Sequence, residues 1–247
     1  MPTIFKILAK WQADPLMCDE SGRLHPALTV DALLLALHNQ RPDVVSLLLA
    51  ASFIGNLPIK EAIKIGSITN FEAFLWHGWD IDEPVELDGP SALGYAVQDR
   101  ELVKGLLRLG ADPNGGSQYD TALSRAVLVG SMDVIKMLLL KGGDVKRGQL
   151  LHWALEREHD AYEVVTLLLE RGAMPNSLEF DGILPIWSVQ QKLGTPLHKA
   201  VTLNKLDIAS QLLRYGADPG KEDTSGKTAM QLADDLGNRE AASLFRR

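Results

Sequence analysis

The sequence predicts an all-α fold, a solenoid of stacked antiparallel helix pairs joined by short finger turns. Three observations predict it. A string patterned on Thr195-Pro196-Leu197-His198-Lys199-Ala200 recurs, with first positions at 31, 57, 91, 121, 149, 195 and 228. Clusters of Leu, Val and Ile follow the strings, and exits of the type Gly216-Ala217-Asp218-Pro219 follow the clusters. The step from the Val/Ile/Leu position to the glycine is eight residues at 102 to 110, 134 to 142, 164 to 172 and 208 to 216, and again from Asn70 to Gly78. Self-similarity held in register along a chain is the signature of a repeat architecture.

Taken in order, the chain opens on Ile4-Phe5-Lys6-Ile7-Leu8-Ala9 and Gln12-Ala13-Asp14-Pro15. These match a second helix and its exit turn without a first helix, so residues 1–15 read as a half-repeat cap. Units starting near 31 and 57 follow. The third, at Ser91, is two residues short, because Ala96 to Leu102 spans six positions where Ala126 to Val134 spans eight. The fourth runs from Thr121 through Val134-Ile135 and Leu138-Leu139-Leu140 to Gly142-Gly143-Asp144. The fifth, from Gln149, carries two extra residues in the turn Glu156-Arg157-Glu158-His159-Asp160, which reads as a solvated charged turn. Between Asn176 and Thr195, 19 positions replace the seven from Asn114 to Thr121, making 177–194 a finger insertion. Its Phe180, Ile183, Leu184, Ile186 and Trp187 are more apolar than a solvated loop. The sixth unit, from Thr195, is the cleanest. The last, from Thr228, closes on a short outer helix over Ala241 to Phe245. The whole chain, 1–247, reads as one domain.

The motif makes physical sense. Thr195 can cap a helix whose first N–H groups lack partners. Pro196 sits in the first turn, where its missing N–H costs nothing. Leu197 and Ala200 share a face, and the small Ala lets the neighbouring helix approach. Gly216 ends the second helix in a left-handed conformation. Each unit leaves an apolar face uncovered, so stacking is what stabilises it.

These residues resemble the ankyrin repeat, whose period is about 33. The enlarged finger ahead of Gly194-Thr195-Pro196-Leu197-His198 is similar to that of some ankyrin proteins of filamentous fungi. The resemblance implies that His152 and His198, at the fourth motif position, are structural and bond between repeats. It also implies that fingers and first helices form a concave surface faced by the fifth motif position: Leu35, Glu61, Tyr95, Arg125, Trp153, Lys199 and Leu232. Tyr, Arg and Trp are enriched in binding hot spots. Trp153 has a second reading, packing beneath the insertion. Tyr119, on a finger after Gly115-Gly116, is a further contact candidate, and Trp79 is expected to pack locally. Asn114 and Asn176 fall where some ankyrin asparagines are hydroxylated, although Pro113 and Pro175 replace the family's usual Val.

Composition narrows the functions. A formal charge of −7, with no basic run beyond Arg246-Arg247, argues against nucleic acid as the main partner. The single cysteine, Cys18, excludes an intrachain disulfide and fits an intracellular compartment, cytoplasmic or nuclear. No run is long and apolar enough for membrane insertion. GxSxG, P-loop and Rossmann patterns are absent, and six scattered histidines with one cysteine do not make a zinc site.

The expectation is therefore a monomeric, non-enzymatic scaffold without catalytic residues, metal or cofactor. It binds another protein or peptide through Tyr95, Tyr119, Arg125, Trp153, Trp187 and Lys199. The alternative is a small-molecule binder or specialised enzyme using 177–194 as a lid over a groove pocket.

Overall fold

A computed structural model of the chain describes residues 26–51, 58–179 and 193–246. The half-repeat 1–15 and most of the insertion, Trp187 included, lie outside the described residues. Seven helix pairs follow one another: α1 (Pro26–His38) with α2 (Pro42–Ala51), α3 (Ile59–Ile65) with α4 (Ile68–Trp76), and α5 (Ala92–Tyr95) with α6 (Arg100–Arg108). Then come α7 (Ala122–Val129) with α8 (Met132–Leu140), α9 (Leu150–Leu155) with α10 (Ala161–Glu170), α11 (Pro196–Thr202) with α12 (Leu206–Arg214), and α13 (Ala229–Asp235) with α14 (Arg239–Leu244). Among the described residues, extended pairing is confined to isolated bridges in the fingers, Pro90 with Gly116, Gly116 with Thr121 and Glu222 with Thr228.

First helices pack on first helices throughout, and the second helices form an outer layer. The third and sixth motif positions explain why. Leu93 and Ala96, Leu123 and Ala126, Leu151 and Ala154, and Leu197 and Ala200 are all buried. Each buried Leu contributes roughly 1.5–3 kcal/mol, and each Ala sets the close spacing between units. The exits are equally regular. Gly110, Gly142, Gly172 and Gly216 all have positive φ. The next N–H then bonds five residues back, as Ala217 does to the Leu212 carbonyl at 2.9 Å.

Several helix starts carry side-chain caps, at Asp99, Thr121, Ser131, Thr228 and Asn238. Asp99 accepts from the Glu101 and Leu102 N–H groups at 3.0 Å each, which lets α6 begin although α5 has been cut to one turn. The two missing residues of the third unit fall directly after that turn, between Ala96 and Leu102. One start differs from expectation. The first helix begins at Pro26, five residues ahead of Asp31, because proline is favoured in an opening turn. Leu33 and Ala36 remain the buried pair, so the motif register is unaffected.

The turn 156–160 is solvated except at Arg157. The Arg157 side chain is only 10% exposed. Its Nη1 donates to the Val127 carbonyl at 2.7 Å and its Nη2 to the Gly130 carbonyl at 3.0 Å. The guanidinium thus satisfies carbonyls at the end of α7 in the preceding unit. Lys205 Nζ reaches the Leu155 and Arg157 carbonyls from the following unit, at 2.8 and 2.6 Å. The two extra residues form a polar splice between three units, and only Glu156, Glu158, His159 and Asp160 face solvent.

Candidate functional site

The fourth motif position builds the frame on which any site rests. Ser124 Oγ donates to the Gly148 carbonyl at 2.9 Å, His152 Nε2 lies 3.1 Å from the Gly194 carbonyl, and His198 Nε2 lies 2.9 Å from the Lys227 carbonyl. Each acceptor immediately precedes the next motif. The Thr195 N–H donates to His198 Nδ1 at 3.2 Å, so Nδ1 accepts and the proton sits on Nε2. Burial pushes His152 down to about 4, keeping its imidazole neutral near neutral pH. These contacts give both histidines structural work.

A second tie runs along the fingers. Asn114 accepts from the Asp144 N–H at 2.8 Å and donates to the Gly142 carbonyl at 3.0 Å. Asn176 repeats this with the Asp218 N–H at 2.7 Å and the Gly216 carbonyl at 2.9 Å. Both carboxamides are engaged across a repeat junction. Asp82 holds the corresponding place one unit earlier and accepts from the Asp112 N–H at 2.7 Å.

On this frame four of the fifth-position side chains fall into three groups. Tyr95, partly buried, donates its hydroxyl to Glu86 on the preceding finger. Lys60 pairs with the same carboxylate and sits 5.1 Å from the centre of the Tyr95 ring. Burial, then the Glu86 bond, pushes the Tyr95 hydroxyl up. Arg125 donates through Nε to Asp120 at 2.9 Å and also through Nη2, while burial raises the Asp120 carboxyl. Lys199 Nζ lies between Glu156 at 2.7 Å and Glu179 at 3.2 Å, and 5.9 Å from the Trp153 ring centre. Trp153 packs against the core, and its buried indole N–H has no hydrogen-bond partner. Leu35 is exposed, Glu61 pairs with His38 and Lys64, and Leu232 packs on the core.

Two hollows accompany the row. One, of about 340 Å³, lies beside Lys199 and is bounded by Glu156, Glu179, His198, Asp223 and Leu232. The Glu179 N–H bonds the Gly194 carbonyl at 3.0 Å, so the two ends of the insertion are pinned together at its rim. The other, of about 260 Å³, lies among the fingers and includes Tyr119. Tyr119 lines this second hollow, which Tyr95, Arg125, Trp153 and Lys199 do not, while Trp187 lies outside the described residues. Trp79 packs on Phe71 and Phe74 with ring centres 5.9 and 6.0 Å away.

Sequence reasoning missed Lys60, Glu86, Glu156 and Glu179, the partners of the row. Their charge was visible, but their position depends on fingers folding back over helices. Among the described residues, no three His, Cys, Asp or Glu side chains gather as a metal would need, and no helix is long and apolar enough to cross a membrane.

Comparison with known proteins agrees with the repeat reading. A family model described as ankyrin repeats in three copies matches residues 59–149, and a single ankyrin-repeat model matches 194–224. The chain is 34% identical over 140 residues to human BCL-6 corepressor-like protein 1, covering 54% of this chain and 7% of that protein. It is 30% identical over 160 residues to human ankyrin repeat and SOCS box protein 11, covering 64% of this chain and 48% of the relative. Identity is 34% over 88 residues to the ankyrin repeat and LEM domain-containing protein 1 homolog of Caenorhabditis elegans, 36% of this chain and 11% of that protein. The chain spans less than half the length of each of these relatives.

Proposed function

The chain belongs to the ankyrin-repeat family, and from that premise we propose that it is a non-enzymatic, monomeric scaffold binding another protein or peptide on its concave face. Ankyrin repeats are generally protein-interaction modules. One observation carries the finer reading. Tyr95, Arg125 and Lys199, on three first helices, are each held by a carboxylate of a finger or turn, and Trp153 stands between the last two in the repeat order. Side chains fixed before binding lose little entropy when a partner docks. The single cysteine fits an intracellular setting, cytoplasmic or nuclear.

A pull-down from the native source followed by calorimetry tests this. Tyr95→Ala and Trp153→Ala should each weaken the captured partner by about 2 kcal/mol with circular dichroism unchanged. Full-strength binding by both folded variants would move the interface elsewhere. The hollow of about 340 Å³ beside Lys199 favours a second reading, a small-molecule binder, since it reaches the lower end of ligand-pocket sizes. A thermal-shift screen separates the two, because a ligand of the native state raises the melting temperature.

A further inference from the structure

The finger between the fourth and fifth units is cut short. From the helix-ending glycine to the next motif the chain takes 11 positions at Gly110 to Thr121 and 12 at Gly216 to Thr228, but only seven at Gly142 to Gln149. Complete neighbouring fingers pair along their length: the Ser117 N–H bonds the Gly89 carbonyl at 2.9 Å and the Gly116 N–H bonds the Asp82 carbonyl at 3.1 Å. The short finger meets the one before it at its base, through Asn114. What its missing tip leaves is a notch, the hollow of about 260 Å³, flanked by Gln118 and Tyr119 on one side and Ser177 and Leu178 on the other.

The chemistry of the notch differs from that of the molecule around it. The chain carries 32 acidic against 25 basic residues, yet no Asp or Glu lines this hollow, whereas Lys146 and Arg147 do and both side chains are exposed. Neither makes an ion pair among the described residues, unlike Lys60, Arg125, Arg157 and Lys199. The short finger also drives Gln149 into the left-handed region, φ 57°, where the motifs at Ser91, Thr121, Thr195 and Thr228 open on an extended residue. Its carboxamide, beside the hollow, has both polar atoms buried without a partner. Such a group gains most from a ligand bringing one N–H and one C=O together, as a peptide unit does.

We propose that this notch docks an acidic, extended segment of a partner polypeptide, with Lys146 and Arg147 reading a carboxylate side chain and a turned Gln149 carboxamide pairing with the main chain. This rests on the interaction-scaffold reading and names a partner class for it. The test is selection of a random phage-displayed peptide library on the full chain, with affinities of synthesised winners measured by fluorescence anisotropy. Winners should be rich in Asp and Glu and bind more weakly as salt is raised. They should lose about tenfold or more in affinity for Lys146→Glu/Arg147→Glu. Both positions are exposed, so that variant should keep its melting temperature. Gln149→Leu should melt higher, having shed an unpartnered amide, yet bind these peptides less tightly. Winners without excess acid, or acidic winners indifferent to the charge reversal, would overturn the proposal. Peptides lost on Tyr95→Ala and Trp153→Ala but not on charge reversal would overturn the notch and leave the groove standing. The opposite pattern would retire the groove alone, and a library yielding no binder would overturn both.

Discussion

The two halves of the stack satisfy their buried polar groups differently. From the fourth unit to the sixth, each fourth-position side chain, Ser124, His152 and His198, bonds a carbonyl at the head of the next unit. The third unit has Gly94 at that position, and the buried Ser91 hydroxyl beside it has no partner. In the second unit Asn70 is fully buried with neither amide atom bonded, where the later units hold Leu102, Val134, Val164 and Ile208. The apolar core is continuous across both halves. The contrast teaches that close packing alone makes the stack, while polar ties between units set how evenly its stability is distributed. Residues in the earlier units should therefore exchange their amide hydrogens sooner than those around His152 and His198.

Acid should attack the well-tied half first, with the largest effect. An unfolded imidazole takes up its proton near pH 6.5, but His152 in the fold does so only near 4. Between those values the unfolded chain binds more protons, so stability falls as pH falls, by about 3 kcal/mol across the window. Urea melts from pH 7 to 4 would show it. His152→Gln, which can still donate to the Gly194 carbonyl, should flatten that part of the profile; an unchanged slope would assign it to other groups.

His198→Ala comes next. It strips partners from the Thr195 N–H and hydroxyl and from the Lys227 carbonyl, for a loss of about 2–3 kcal/mol. A stable variant that lost binding would instead make this histidine part of the recognition surface.

The weakly tied half should respond in the opposite direction. Asn70→Leu replaces an orphaned amide by the residue type of the later units and should raise stability by about 1–2 kcal/mol. Destabilisation would mean that Asn70 has a partner in solution. The smallest effect belongs to Asp82→Asn. Burial and then the nearby Asp112 and Asp80 push the Asp82 carboxyl up, and a carboxylate cannot donate to the Gly110 carbonyl as Asn114 does to Gly142. The amide should add about 1 kcal/mol, read as a small rise in melting temperature. No rise would break the parallel between the two finger positions.

Much of this was legible in the residues. Thr121 and Thr228 cap, Gly110 and Gly216 end helices, and Leu197 and Ala200 point inward because caps, helix ends and helical faces act within a few residues. The structural reading of His152 and His198 came from their motif position. The candidate site was less legible. Tyr95, Arg125, Trp153 and Lys199 could be placed on one row, but their carboxylate partners lie on separate fingers and turns. The shortened finger was countable from Gly142 to Gln149, yet its consequence depended on how far its neighbours extend.

The sequence by itself determined the repeat, its period, the inward faces and the helix exits, since each is a local preference repeated from unit to unit. Only the tertiary structure decided that Arg157 closes three units together, that Asn70 and Gln149 are buried without partners, and that a notch opens at Lys146 and Arg147. Those outcomes depend on distances between residues tens of positions apart, where stacking brings a side chain to a carbonyl or leaves it with nothing to bond.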